Sequence, residues 1–153
     1  MSLFGKGGGP GGGMKAGFRD MKWGDHPAEG TQTIEEQGEE KTCRIPDDDL
    51  TWGDAPVDKI VYHFWTNRFC GVTVEIPTAS ADRILKGLQD GWGKPDQPNK
   101  FLEDFVWHNK AVGPEATEAL FSRNPKTRAA TLTISSSYVK AKMALAKGKP
   151  PVR

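Results

Sequence analysis

Cysteine is scarce in this sequence, and long apolar runs are absent. Cys43 and Cys70 are the only two thiols, 27 residues apart, with no Cys-x-x-Cys pair and no Cys/His cluster around either. That spacing fits neither a zinc ribbon nor a redox dithiol, so a buried free thiol in a strand is expected for each. A disulfide would require their two strands to adjoin. No apolar stretch is long enough for a signal-peptide core or a transmembrane helix, so no membrane span is expected and the cytoplasm is the expected compartment. Hydrophobic residues make up 36% of the chain, against roughly 45–50% for globular domains on a count that includes glycine. Much of the deficit lies in 18 glycines and 11 prolines, which crowd the termini and turns. The middle of the chain is normally apolar, with five tryptophans and seven phenylalanines to anchor a core, which argues against a wholly disordered chain.

Net charge is low but unevenly placed. Residues 34–58 hold nine acids against Lys41 and Arg44, while residues 101–153 hold nine bases against four acids. Two solvated surfaces of opposite sign that partly neutralise each other account for this; a basic end that meets an acidic partner or nucleic acid is the sharper alternative. Residues 1–17 contain eight glycines and one proline, a composition that predicts a flexible arm. The string Gly7–Gly12 satisfies G-x-G-x-x-G only formally, because no strand precedes it and no helix follows. Residues 18–137 are expected to form the domain, and residues 138–153 a basic helical tail.

Hydrophobic periodicity predicts an α+β domain: a twisted antiparallel sheet of five to six strands with one helix packed on it and a C-terminal basic helix. Phe18, Met21 and Trp23 make a short apolar patch, and the polar stretch Ala28–Glu40 reads as an exposed loop. Lys41–Ile45 reads as a strand. Ile60, Tyr62 and Phe64 alternate with Val61, His63 and Trp65; after the turn Thr66–Arg68, the segment Phe69–Ile76 returns with Val72, Val74 and Ile76 on one face, giving a hairpin. Ser80 is positioned to cap a helix over Ala81–Asp90, with Ile84, Leu85 and Leu88 on one face and Gly91 or Gly93 at its end. Phe101–Trp107, Ala116–Phe121 and Ala129–Ser135 read as three further strands. The final helix, Tyr138–Lys147, would rest on Tyr138, Ala141 and Leu145 and keep Lys140, Lys142 and Lys147 in water.

Several segments together resemble a loose group of uncharacterised small bacterial α+β proteins. They are FRDMKWGD at Phe18–Asp25, GDAPVDKIVYHFWTNRFCGVTVEI at Gly53–Ile76, LQDGWGKPDQPNKF at Leu88–Phe101, EDFVW at Glu103–Trp107 and ATLTIS at Ala130–Ser135. That group is similar in layout to β-lactamase-inhibitor-like folds and outer-membrane assembly lipoproteins. The resemblance implies a helix packed on a meander and carries over no catalytic residue. Members are often secreted or lipid-anchored; this sequence departs from them in lacking a signal peptide or lipobox cysteine.

The residues that could carry chemistry do not converge in sequence. Asp47–Asp49 suggests a calcium loop, but an EF-hand numbered from Asp47 would place Trp52 where glycine is needed and Asp58 where glutamate is needed. His26, His63 and His108 show no metal-ligand spacing. A Cys–His dyad between Cys70 and His63 would need the two to meet across the hairpin. Glu103 and Asp104 fall on opposite faces of a strand and so do not pair as acid and base. The expected function is a non-enzymatic protein-binding or accessory module, without a cofactor, that contacts a protein partner. The residues expected to contribute are Trp65, Arg68 and Phe69 at the hairpin tip and Lys140, Lys142, Lys147 and Lys149 in the tail. A nucleic-acid-binding protein using those lysines is the alternative, and an enzyme with a Cys/His site comes third.

Overall fold

The structure is a computed structural model that describes residues 14–148. The glycine-rich segment 1–13 and the end of the tail, Lys149 included, lie outside the described residues. In chain order the elements are β1 (Gly17–Phe18), β2 (Met21–Lys22), β3 (Gln32–Gln37), β4 (Glu40–Arg44), β5 (Thr51–Trp52), β6 (Ala55–Pro56), β7 (Lys59–Trp65), β8 (Arg68–Ile76), α1 (Thr78–Trp92), β9 (Asp104–His108), β10 (Thr117–Arg123), β11 (Ala130–Ser136) and α2 (Ser137–Ala146). Seven strands form one antiparallel sheet in the order β3-β4-β7-β8-β11-β10-β9. The chain lays down four neighbouring strands, crosses by α1 to the far edge, and returns through β9 and β10 so that β11 closes against β8.

The sheet therefore has seven strands rather than five or six. The additional one is β3, in the stretch read as a loop. All six of its residues are exposed, so it carries no apolar alternation to announce it. It is an edge strand, and the bulge between Thr33 and Glu35 and its two glutamates disfavour further pairing. At the other edge, β9 starts at Asp104 instead of Phe101. The Asn99 side chain accepts from the Phe101 backbone N–H at 2.9 Å and turns the chain, which leaves Phe101 in water at 85% exposure.

One face of the sheet holds the core. Ile60, Tyr62 and Phe64 from β7, Val72, Val74 and Ile76 from β8, Leu132 and Ile134 from β11 and Phe121 from β10 all point there. Helix α1 covers them with Ala81, Ile84 and Leu88, which are buried at helical spacing. Its start lies at Thr78, after Pro77, and Ser80 is not its cap. The Ser80 hydroxyl instead donates to the Pro56 carbonyl at 2.6 Å, tying the first turn to β6. Gly93, at φ 90°, closes the helix by donating to Gln89.

Among the described residues, the N-terminal segment packs against this core from Met14 onward. Lys15 offers its carbonyl to the Thr117 hydroxyl at 3.0 Å, and the Trp23 indole N–H donates to the same hydroxyl oxygen at 2.8 Å. Phe18 is buried against Trp52 and Tyr62, with ring centroids 6.0 and 5.9 Å away. Among the described residues, no helix is long and apolar enough to cross a membrane.

Candidate functional site

One face of the sheet is filled by the core, and the other is largely polar. That outer face carries Thr42 of β4, Lys59, Val61 and His63 of β7, Thr73 and Glu75 of β8, Thr131, Thr133 and Ser135 of β11, and Glu118, Leu120 and Ser122 of β10, as the strand registers require. Helix α2 crosses it at the end near the β7–β8 turn. The opposite end is open and forms a groove of about 650 Å³ lined by Asp58, Thr73, Glu75, Leu102, Asp104, Ser122, Arg123 and Thr131, among others.

Carboxylates predominate among the residues lining this groove, and Lys59 stands opposite Glu75 in the strand register on the same face. Asp58, Glu75 and Asp104 present carboxylates, with Asp104 accepting the Ser122 hydroxyl at 2.7 Å. Arg123 does not balance them, because its guanidinium is 5% exposed and turned to Asp82 at 2.6 Å and Glu103 at 3.6 Å. That hydrogen bond holds the Asp82 carboxyl below its usual range. Glu103 is also bridged by Arg128. The adjacent pair Glu103 and Asp104 thus serve different partners.

At the hairpin tip Thr66, Asn67 and Arg68 are exposed, whereas Phe69 is not. Thr66 and Asn67 both have positive φ, 50° and 64°, the geometry of a two-residue turn that follows strand twist. Phe69, placed at the tip surface by sequence, is wholly buried against Trp23, Phe64 and Tyr62. Arg68 donates to the Gly24 carbonyl at 3.2 Å and Trp65 is half-buried. His26 Nδ1 sits 3.0 Å from the Asn67 carbonyl.

Lys140, Lys142 and Lys147 each make a contact within the chain. Lys140 pairs with Glu118 at 3.3 Å and Lys147 with Glu40 at 2.8 Å, while the Lys142 ammonium lies 4.5 Å from the centre of the Tyr138 ring. The helix is seated differently from the sequence expectation. Val139, Met143 and Ala144 are half-buried, whereas Tyr138, Ala141 and Leu145 are exposed. Lys140, Met143, Ala144 and Lys147 share one face, so the two ion pairs and the half-buried apolar residues lie on the same side of α2.

Cys70 and His63 are neighbours without forming a dyad. Opposite His63 the β8 strand carries an extra residue, and that bulge puts Cys70 on the outer face. Its thiol donates to the His63 backbone carbonyl at 3.4 Å, while the His63 ring Nε2 lies 2.8 Å from the Thr73 hydroxyl. Burial, with the Glu40 carboxylate adding to it, pushes the Cys70 thiol up to about 11 from its ordinary value near 9. Burial lowers His63, against the opposing pull of Glu40. A thiol so raised stays protonated at neutral pH and is a poor nucleophile. Cys43 is free and buried as well, with β7 between its strand and that of Cys70.

A pH dependence follows. The folded state holds the Cys70 proton more tightly than the unfolded chain, so this contribution is complete below about pH 9 and is lost as pH rises through about 11. Denaturant unfolding of the native chain and Cys70→Ala should show the stability difference between them shift by roughly 2–3 kcal/mol across that interval. A difference independent of pH would overturn the assignment.

Of the triplet Asp47–Asp49, Asp48 serves the fold: it takes the Arg19 guanidinium at 2.6 Å and the Tyr62 hydroxyl at 2.7 Å. Burial first, and Asp48 second, raise the Tyr62 phenol above its ordinary range. The acidic groove is the feature that sequence reasoning missed, since its lining comes from well-separated segments at no motif spacing. No family model, curated protein or solved structure matches the chain.

Proposed function

We propose that this chain is a non-enzymatic protein-binding module, an accessory component of a larger assembly, which takes an extended basic segment of a protein partner into the acidic groove of its sheet. One observation carries the reading. Asp58, Glu75 and Asp104 converge on a groove of about 650 Å³ whose one arginine is turned into the fold. The hydroxyls of Thr73, Ser122 and Thr131 at the same place supply donors and acceptors for a bound main chain. A lysine- or arginine-bearing strand complements that charge, whereas a phosphate backbone is repelled by it. The two free thiols suit a reducing compartment, the cytoplasm.

The test is fluorescence anisotropy with a labelled arginine–threonine octapeptide, an acidic octapeptide of equal length and a single-stranded oligonucleotide. The basic peptide is expected to bind, to weaken with salt, and to lose roughly two- to fivefold in affinity for each of Glu75→Gln and Asp58→Asn, the range of exposed charge pairs. Failure of the basic peptide to bind, or equal binding of the acidic one, would sink the proposal. Oligonucleotide binding that disappears when Lys140, Lys142, Lys147 and Lys149 are replaced by glutamine would put the nucleic-acid reading in its place.

A further inference from the structure

Helix α2 has an unusual attachment. It follows β11 directly, with the Ser136 hydroxyl accepting from the Val139 N–H at 3.1 Å as its cap. None of its ten residues is buried. Its lysines reach Glu118 on β10 and Glu40 on β4, strands that bracket β11, β8 and β7 in the sheet order. Both glutamates lie on the outer face, Glu118 opposite Ser135 and Glu40 opposite Trp65. The dimensions agree, since ten residues of helix span about 15 Å at 1.5 Å each, and the three strand gaps from β11 to β4 span about 14 Å. The helix packs against the 3-10 turn Gly113–Glu115, β10 and β11, and the reach of Lys147 to Glu40 carries its line across the strip that holds Trp65, His63 and Cys70.

We propose that α2 is a displaceable strap, latched by the Lys140–Glu118 and Lys147–Glu40 ion pairs, that opens without unfolding the domain and uncovers the outer face at Cys70. A helix this short is marginal in water on its own. Both latching lysines are more than half exposed, at 56% and 51%, so their attraction is modest and is screened by salt. Half-buried Val139, Met143 and Ala144 add limited apolar contact. The sheet beneath is held by a continuous core and opens only with the whole domain, so the two parts separate in stability.

The two cysteines make the test internal to the full-length protein. Cys70 lies in the strip on the outer face, whereas Cys43 is 2% exposed and belongs to the core. With a maleimide probe under native conditions, Cys70 should label at least about tenfold faster than Cys43, as sub-global opening requires. Lys147→Gln and Lys140→Gln should each accelerate Cys70 several-fold and leave Cys43 unchanged. The Lys147 variant is the sharper of the two. It leaves Glu40 uncompensated, and that carboxylate already disfavours the Cys70 thiolate, so faster labelling there reports access and not thiol reactivity. Amide exchange over residues 139–146, accelerated roughly three- to tenfold by about 0.5 M salt while β11 stays protected, gives a readout free of thiol chemistry. Cys70 labelling at the Cys43 rate, labelling unmoved by either variant, or α2 amides exchanging together with β11 would each overturn the strap.

Discussion

Trp107→Ala is expected to lower the unfolding free energy by about 3–5 kcal/mol, the range for truncating a large buried aromatic. Trp107 stands on β9, an edge strand that pairs only with β10 and, through one bridge, with Asp96. Its side chain is what anchors that edge. The ring is 3% exposed and donates its indole N–H to the Gly93 carbonyl at 2.9 Å, just past the end of α1. It meets Trp92 edge-on at 5.6 Å, and Trp92 in turn meets Trp52 at 6.1 Å, so β9, α1 and β5 are joined by three indoles. Alanine would leave a cavity and an unsatisfied carbonyl together. Trp107→Phe, which keeps most of the apolar mass and loses the donor, should cost about 1–3 kcal/mol less than the alanine variant. Urea unfolding measures both, and a loss under about 1 kcal/mol for alanine would mean that β9 is held by its backbone alone.

The β7–β8 hairpin could be read from sequence because its alternation is bulky and its turn holds Asn67, a residue that tolerates positive φ. The bulge opposite His63 could not. Counting back by twos from Ile76 through Val74 and Val72 puts Cys70 inward and Phe69 outward. One extra residue in the register reverses both positions, burying Phe69 completely and leaving Cys70 beside His63. The segregation of charge was legible as two blocks, and one pair, Lys147–Glu40, joins them directly. Strand β3 was hidden because an exposed edge strand has no core-facing period. The groove was hidden for a different reason: Asp58, Glu75, Asp104, Ser122 and Thr131 meet only once β11 has inserted between β8 and β10.

Composition also concealed Gly17, which reads as one more glycine of an arm and is in fact sterically required. It pairs with Lys22 in the β1–β2 hairpin. A Cβ at that position would sit 2.0 Å from the Met21 carbonyl oxygen and 2.9 Å from the Lys22 Cα, contacts with backbone that only opening the hairpin can relieve. Opening it withdraws Phe18 from the core and breaks the grip of Arg19 on the Asp48 carboxylate and on the carbonyls of Asp49 and Thr51, at 2.6, 2.6 and 3.2 Å. Gly17→Ala is therefore expected to cost about as much as Phe18→Ala, roughly 3–5 kcal/mol, an effect far beyond the usual glycine-to-alanine change. Because both variants disable one unit, the double variant should cost little more than either alone. A truncated chain starting at Phe18 should lie well below one starting at Met14 in unfolding midpoint, since it lacks the Lys15 carbonyl and the Gly17 pairing. Urea and thermal unfolding of these four variants, each against the chain it derives from, decide the matter. A cost under about 1 kcal/mol for Gly17→Ala, or additive costs in the double variant, would show that the N-terminal hairpin does not act as a single clasp on the core.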